Sequence, residues 1–133
     1  MNTQTFMNVA VAVSVVTGLA GLLAPAPLAS VFGVTLDDAG ASEARLAGAS
    51  YLGYAAIVWF AREVRDTATQ RAIALGSLVS WALSLVVLAI AVVTGLAGTA
   101  SWALVATAVV FAAGWGYVAV TIPGRLAVKV TPI

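Results

Sequence analysis

The hydrophobic positions of the chain fall into four long runs, at about residues 6–24, 44–61, 72–93 and 101–122. A helix rising 1.5 Å per residue needs about 20 apolar residues to cross a hydrocarbon core of about 30 Å. Each run approaches that length, and each ends in a breaker or a charge. Pro25 and Pro27 follow the first, Arg45 and Arg62 bracket the second, Thr94-Gly95 follows the third, and Pro123-Gly124 the fourth. The runs are too long and too uniformly apolar for the alternation of barrel strands. The pattern predicts an all-α polytopic membrane protein: one four-transmembrane-helix bundle over residues 1–133, with a short interfacial segment between the first two helices.

That segment is apolar for a loop. Within Pro25-Ala26-Pro27-Leu28-Ala29-Ser30-Val31-Phe32-Gly33-Val34, the side chains of Leu28, Val31 and Phe32 would line one face of a short helix lying on the bundle's outer end. The first run is expected to be a retained helix and not a cleaved signal peptide, because residues 1–8 carry no Lys or Arg.

Composition sharpens the picture. Hydrophobic residues make up 62% of the 133 and charged residues 8%, against about 25% charged in a soluble domain. The solvent for most of such a chain is lipid, which excludes a disordered protein, a nucleic-acid binder and a soluble enzyme. With no Cys and no His, thiolate chemistry, imidazole ligation and the usual zinc sites are closed. No cofactor and no metal are expected. Arginine outnumbers lysine five to one and Ala, Val and Gly abound, as in a GC-rich bacterial source.

Charge sets the expected orientation. Arg62, Arg65 and Arg71 lie between runs two and three, and Arg125 and Lys129 in the tail, leaving only Arg45 of the six basic residues on the other side. Both termini are therefore expected in the cytoplasm. Trp59 and Phe60 would mark the inner interface and Trp102 the outer one, with Trp81 and Trp115 packed deeper.

Helices in lipid meet through small residues and interhelical hydrogen bonds. Ala10, Ser14, Thr17, Gly18 and Gly21 share a face of the first helix; Gly76, Ser77, Ser80 and Ser84 one of the third; Thr107, Gly114 and Thr121 one of the fourth. The second carries Ala49 and Ala56 on one side, Ser50 and Tyr54 on the other. Close packing, with hydroxyls bonded to their own backbone, is the expectation, and a hydroxyl-lined cavity the alternative. Ser80 and Ser84 are expected inside the bundle, with Leu78 and Leu85 facing lipid or a neighbouring subunit. Val15-Val16-Thr17-Gly18-Leu19-Ala20-Gly21 recurs as Val92-Val93-Thr94-Gly95-Leu96-Ala97-Gly98, a match that chance explains in a chain of this composition.

Chemistry must use the few ionisable groups. Asp37, Asp38, Glu43 and Arg45 cluster on the outer side. Leu46 to Ala61 spans only about 24 Å of helix, which places Arg45 at the edge of the hydrocarbon with a need for a carboxylate partner. Asp37 or Asp38 is the expected partner, while Glu43 shares its face with Ser50 and Tyr54. Glu43, Asp37 and Asp38 are the candidate catalytic carboxylates; Arg45, Ser50, Tyr54, Trp81 and Tyr117 are the candidate ligand-binding residues. Arg62, Glu63, Arg65, Asp66 and Arg71 read as a solvated turn.

Leu23-Ala24-Pro25, Phe32-Gly33-Val34 and Arg45-Leu46-Ala47-Gly48 together resemble the pattern of small four-helix bacterial membrane proteins of the DoxX-like group. The resemblance implies a four-span fold in the cytoplasmic membrane and supplies no catalytic residues. The expected function is a non-catalytic accessory subunit or binder of lipophilic molecules, with the bilayer as first partner and a homo-oligomer or larger membrane complex as a further one. The alternative is a membrane isomerase or cyclase acting on an apolar substrate through an outer-side carboxylate. A small transporter comes third, because no run carries a central carboxylate.

Overall fold

The structure is a computed structural model that describes residues 2–122. Arg125 and Lys129, on which part of the orientation argument rests, lie outside the described residues. Among the described residues the chain is all-helical: α1 (Thr3–Leu23), α2 (Pro25–Val31), α3 (Asp38–Ala61), α4 (Thr67–Val93) and α5 (Trp102–Thr121), with a 3-10 turn at Thr99–Ser101 before α5. The four long helices correspond to the four hydrophobic runs, and α2 is the short segment expected after the first.

Short polar side chains set the helix starts. The Asn2 side chain accepts the Gln4 N–H at 3.1 Å, Asp37 that of Gly40 at 2.7 Å, and Asp66 that of Thr69 at 2.8 Å. Each fills one of the orphan donors of a first turn. Because these caps lie outside the hydrophobic runs, α3 begins six residues before the apolar run and α4 five residues before it. α1 stops at Leu23, since Ala24 precedes a proline and leaves the helical region. Pro25 then opens α2 in the first turn, where its missing N–H costs nothing.

Among the described residues three helices are long and apolar enough to cross a membrane: α1, α4, and α5 taken from Thr99. α3 is not among them. It has the length, but Asp38, Glu43 and Arg45 occupy its first turns and Ser50, Tyr51 and Tyr54 its middle.

The long helices run alternately up and down and pack chiefly as two antiparallel pairs, α1 with α3 and α4 with α5. Small residues decide the first pair. Ala10, Ser14, Gly18 and Gly21 of α1 are buried, as expected from their shared face. A Cβ on Gly48 of α3 would lie 2.7 Å from the Gly18 carbonyl oxygen and 2.6 Å from the Leu22 nitrogen. Only glycine permits that approach. Aromatic rings bind the pairs to each other: Phe6 of α1 meets Trp115 of α5 edge-on at 5.2 Å and lies 5.8 Å from Phe111, and within the α4–α5 pair Trp81 stacks on Phe111 at 4.6 Å. The Phe6 ring occupies the space a side chain would take at Gly114. Trp115 is fully buried and Trp81 nearly so, as their depth in the sequence implied.

At one end the loops are joined. The Gly98 N–H donates to the Phe32 carbonyl at 2.8 Å, so the segment after α2 is tied to the α4–α5 turn. The two copies of the repeated heptapeptide therefore have different fates. Gly18 and Gly21 pack a helix pair, whereas Gly95, at φ +75, ends α4 in the left-handed region. At the other end lie the start of α1, the α3–α4 turn and the end of α5. There Arg62 departs from a purely solvated role: its Nη1 donates to Asn8 Oδ1 at 2.6 Å, its Nε to the Trp59 carbonyl at 3.1 Å, and its guanidinium covers the Trp59 ring.

Candidate functional site

α3 and α4 follow each other in the chain, yet they touch in only a few places. The gap between them is a groove of about 340 Å³, lined by Ala47, Ser50, Tyr51 and Tyr54 from α3 and Ser80, Trp81 and Ser84 from α4. The α3 residues recur at helical spacing, so one face of that helix forms a whole wall. Ser80 is the central residue of α4, ~20 Å from either end at helical rise, and Ser50 is close to the centre of α3. The groove thus sits halfway along the helices and opens to the side.

Its hydroxyls fall into three groups. Ser50 donates to the Leu46 carbonyl at 3.0 Å and Ser84 to the Ser80 carbonyl at 2.9 Å. Their protons are committed to the backbone, and their remaining lone pairs are left over. Thr107 and Thr121 of α5 are bonded to backbone in the same way, as the packing interpretation of these residues requires. Ser80, which is exposed, and Tyr51 have hydroxyls that join none of the hydrogen bonds among the described residues. Tyr54 presents its ring to the groove but turns its oxygen inward, close to Ser77, Trp81 and Trp115. That oxygen and the Trp115 Nε1 are both buried without a partner in hydrogen-bonding geometry. Leaving such groups unsatisfied costs about 1–3 kcal/mol each. The Tyr51 and Trp81 rings stand 6.5 Å apart.

The arrangement corrects the expected orientation of α4. Its buried line is Ala74, Ser77 and Trp81, with Leu78 and Leu85 packed against the same core. Leu78 fits because Gly116 of α5 stands opposite. Leu78 and Leu85 therefore do not form the outward face; Leu75, Val79, Leu83, Val86, Val87 and Ile90 do. Ser80 and Ser84 turn into the groove and away from the packed centre. Gly76 is exposed with open space around it, and Ala49 and Ala56 of α3 are exposed where Gly48 and Ala55 are buried.

The candidate residues named from sequence divide accordingly. Ser50, Tyr54 and Trp81 come together in the groove. Tyr117 lies apart, in a cleft at the termini end with Asn2, Arg62, Gln70 and Thr121. Glu43, Asp38 and Arg45 are exposed near the start of α3, off the groove wall. The expected ion pair does not form: Arg45 has no carboxylate partner among the described residues, and Asp37 spends an oxygen on the cap of α3. The helix reaches back to Asp38, which puts Arg45 in its second turn, pointing outward where the solvent or headgroups can hold its charge. Ser80 and Ser84, members of the stripe for which a hydroxyl-lined cavity was the alternative, also line the groove, and Ala47 and Tyr51 complete it without having been singled out. The signal for Ala47 and Tyr51 is the spacing of 47, 50, 51 and 54, which shows a helix face poor in aliphatic bulk.

No group of His, Cys, Asp or Glu among the described residues is placed to hold a metal ion. Asp66, in the α3–α4 turn, accepts both the hydroxyl and the backbone N–H of Thr69, which hold its carboxyl below the ordinary aspartate range. Comparison of the chain with protein-family models, with curated proteins and with solved structures gives no match.

Proposed function

We propose that the chain is a four-helix integral protein of the bacterial cytoplasmic membrane, both termini inside, which holds a lipophilic molecule in the α3–α4 groove. The observation that carries this reading is the groove itself: two consecutive helices that decline to pack, with hydroxyls and aromatic rings where aliphatic contacts would otherwise be. Large apolar side chains stand exposed on every long helix, from Val16 on α1 and Ile57 on α3 to Val87 on α4 and Val120 on α5. Water would penalise such a surface, whereas acyl chains receive it without cost. Once α1, α4 and α5 span, α3 must span with them, because it is paired along its length with α1. Its polar residues then lie against α1 or in the groove.

A non-catalytic binder is favoured over an enzyme because the carboxylates stand off the groove, and among the described residues no acid or base but the tyrosine phenols lines it. The test is quenching of Trp81 fluorescence by a dibrominated dodecane in nanodiscs, read as the difference between the wild type and Trp81→Phe. Saturable quenching, lost when Ala47→Phe fills the groove, is the expected result. Quenching that rises linearly with probe and is the same in both proteins would refute a binding site there.

A further inference from the structure

Building on that groove reading, we infer that the occupant is an uncharged lipophile bearing a hydroxyl group, seated among Ser50, Tyr51, Ser80 and Ser84. Among the described residues, no acid or base other than the phenols of Tyr51 and Tyr54 lines the groove. A carboxylate or ammonium head halfway across the hydrocarbon would find no counter-charge, and its desolvation excludes it. The ligand is therefore neutral.

The hydrogen-bond inventory narrows the head group. Ser50 and Ser84 have given their protons to the carbonyls of Leu46 and Ser80, so they can only accept. The hydroxyls of Ser80 and Tyr51 hold protons with no partner among the described residues, so they can donate. Where no water competes, both kinds of group need a complement. A ketone, ether or ester only accepts and would leave Ser50 and Ser84 unanswered. A hydroxyl donates one bond and accepts others, and so satisfies both. The rest of the molecule would lie along Tyr51, Tyr54 and Trp81. A volume of about 340 Å³ matches the lower range of small-molecule sites and is small for a helix about 10 Å across.

The experiment is photolabelling of the full chain in nanodiscs with two probes, an octanol and an octane, each carrying a diazirine on its chain. Modified residues are mapped by mass spectrometry. The octanol should label residues of the groove wall saturably, and unlabelled octanol should compete about tenfold better than octane, the ratio one net hydrogen bond supplies. Combining Tyr51→Phe with Ser80→Ala should cut octanol labelling by a similar factor and leave octane labelling unchanged. Equal labelling by the two probes, or a double variant that binds octanol normally, overturns the hydroxyl assignment while the groove stands. If neither probe labels the wall above the outward residues Leu83 and Val87, the groove reading itself fails. The chain has no cysteine, so Ser80→Cys reports directly on a protein occupant. A disulfide-linked dimer formed under mild oxidation would place a second copy in the groove and overturn the proposal.

Discussion

The tightest glycine contact with backbone among the described residues, at Gly48, offers the sharpest test of the packing argument. In Gly48→Ala, the new Cβ would stand 2.6 Å from the Leu22 nitrogen, 2.7 Å from the Gly18 oxygen and 2.9 Å from the Gly21 carbonyl carbon, against about 3.4 Å for ordinary contact. All three are backbone atoms, so no side chain can swing aside. Relief requires α1 and α3 to part by something approaching 1 Å along a packed seam. A gap of that size forfeits a quarter to a half of each dispersion contact, and overpacking of this kind costs about 1–3 kcal/mol. Gly53→Ala is the matched control, because its Cβ would meet nothing within 4 Å and alanine favours the helix by up to about 1 kcal/mol. Thermal unfolding in a mild detergent, followed by size-exclusion chromatography, should show Gly48→Ala melting several degrees lower and Gly53→Ala unchanged or higher. If the two variants were equally stable, the α1–α3 seam would not be the close helix–helix contact described here.

Three further outcomes are expected. Arg62→Ala removes the link from α3 to Asn8 of α1 and should lower stability by about 1–2 kcal/mol, whereas Arg45→Ala, with no partner to lose, should stay within about 0.5 kcal/mol; equal losses in thermal melts would contradict the contrast. The depressed pKa of Asp66 means that its carboxylate stabilises the fold at pH values above the ordinary aspartate range and loses that contribution as pH falls through the lowered value. Melting temperature followed from neutral pH into acid should accordingly drop less in Asp66→Asn than in the wild type; parallel curves would count against the cap. On the proposed topology, which puts both termini in the cytoplasm, a cysteine replacing Thr99 should react with an impermeant maleimide from outside intact cells and one replacing Thr67 only after lysis, and the reverse result would invert the topology.

The sequence by itself determined the four long helices, because their formation depends on local quantities: apolar runs of sufficient length, the proline that stops α1 and the short polar residues that cap α1, α3 and α4. It also indicated the inward face of α1, since residues at 10, 14, 18 and 21 fall on one side of any helix whatever surrounds it, and the burial of Trp81 and Trp115. What periodicity does not carry is the choice of neighbour. Every side of α4 is apolar enough for either core or lipid, so nothing in the pattern said that Leu78 would fit opposite Gly116 and leave Ser80 facing sideways. In lipid the usual contrast between apolar inside and polar outside is missing, and steric fit alone orients the helix. Arg45 shows the same limit: its need for a partner was argued from charge and depth, but the start of α3 at Asp38 committed Asp37 to the cap and turned the arginine outward. The groove exists because α1 closes on α3 through Gly48 while α4 closes on α5, leaving two sequence neighbours apart, and that pairing is a property of the tertiary structure alone.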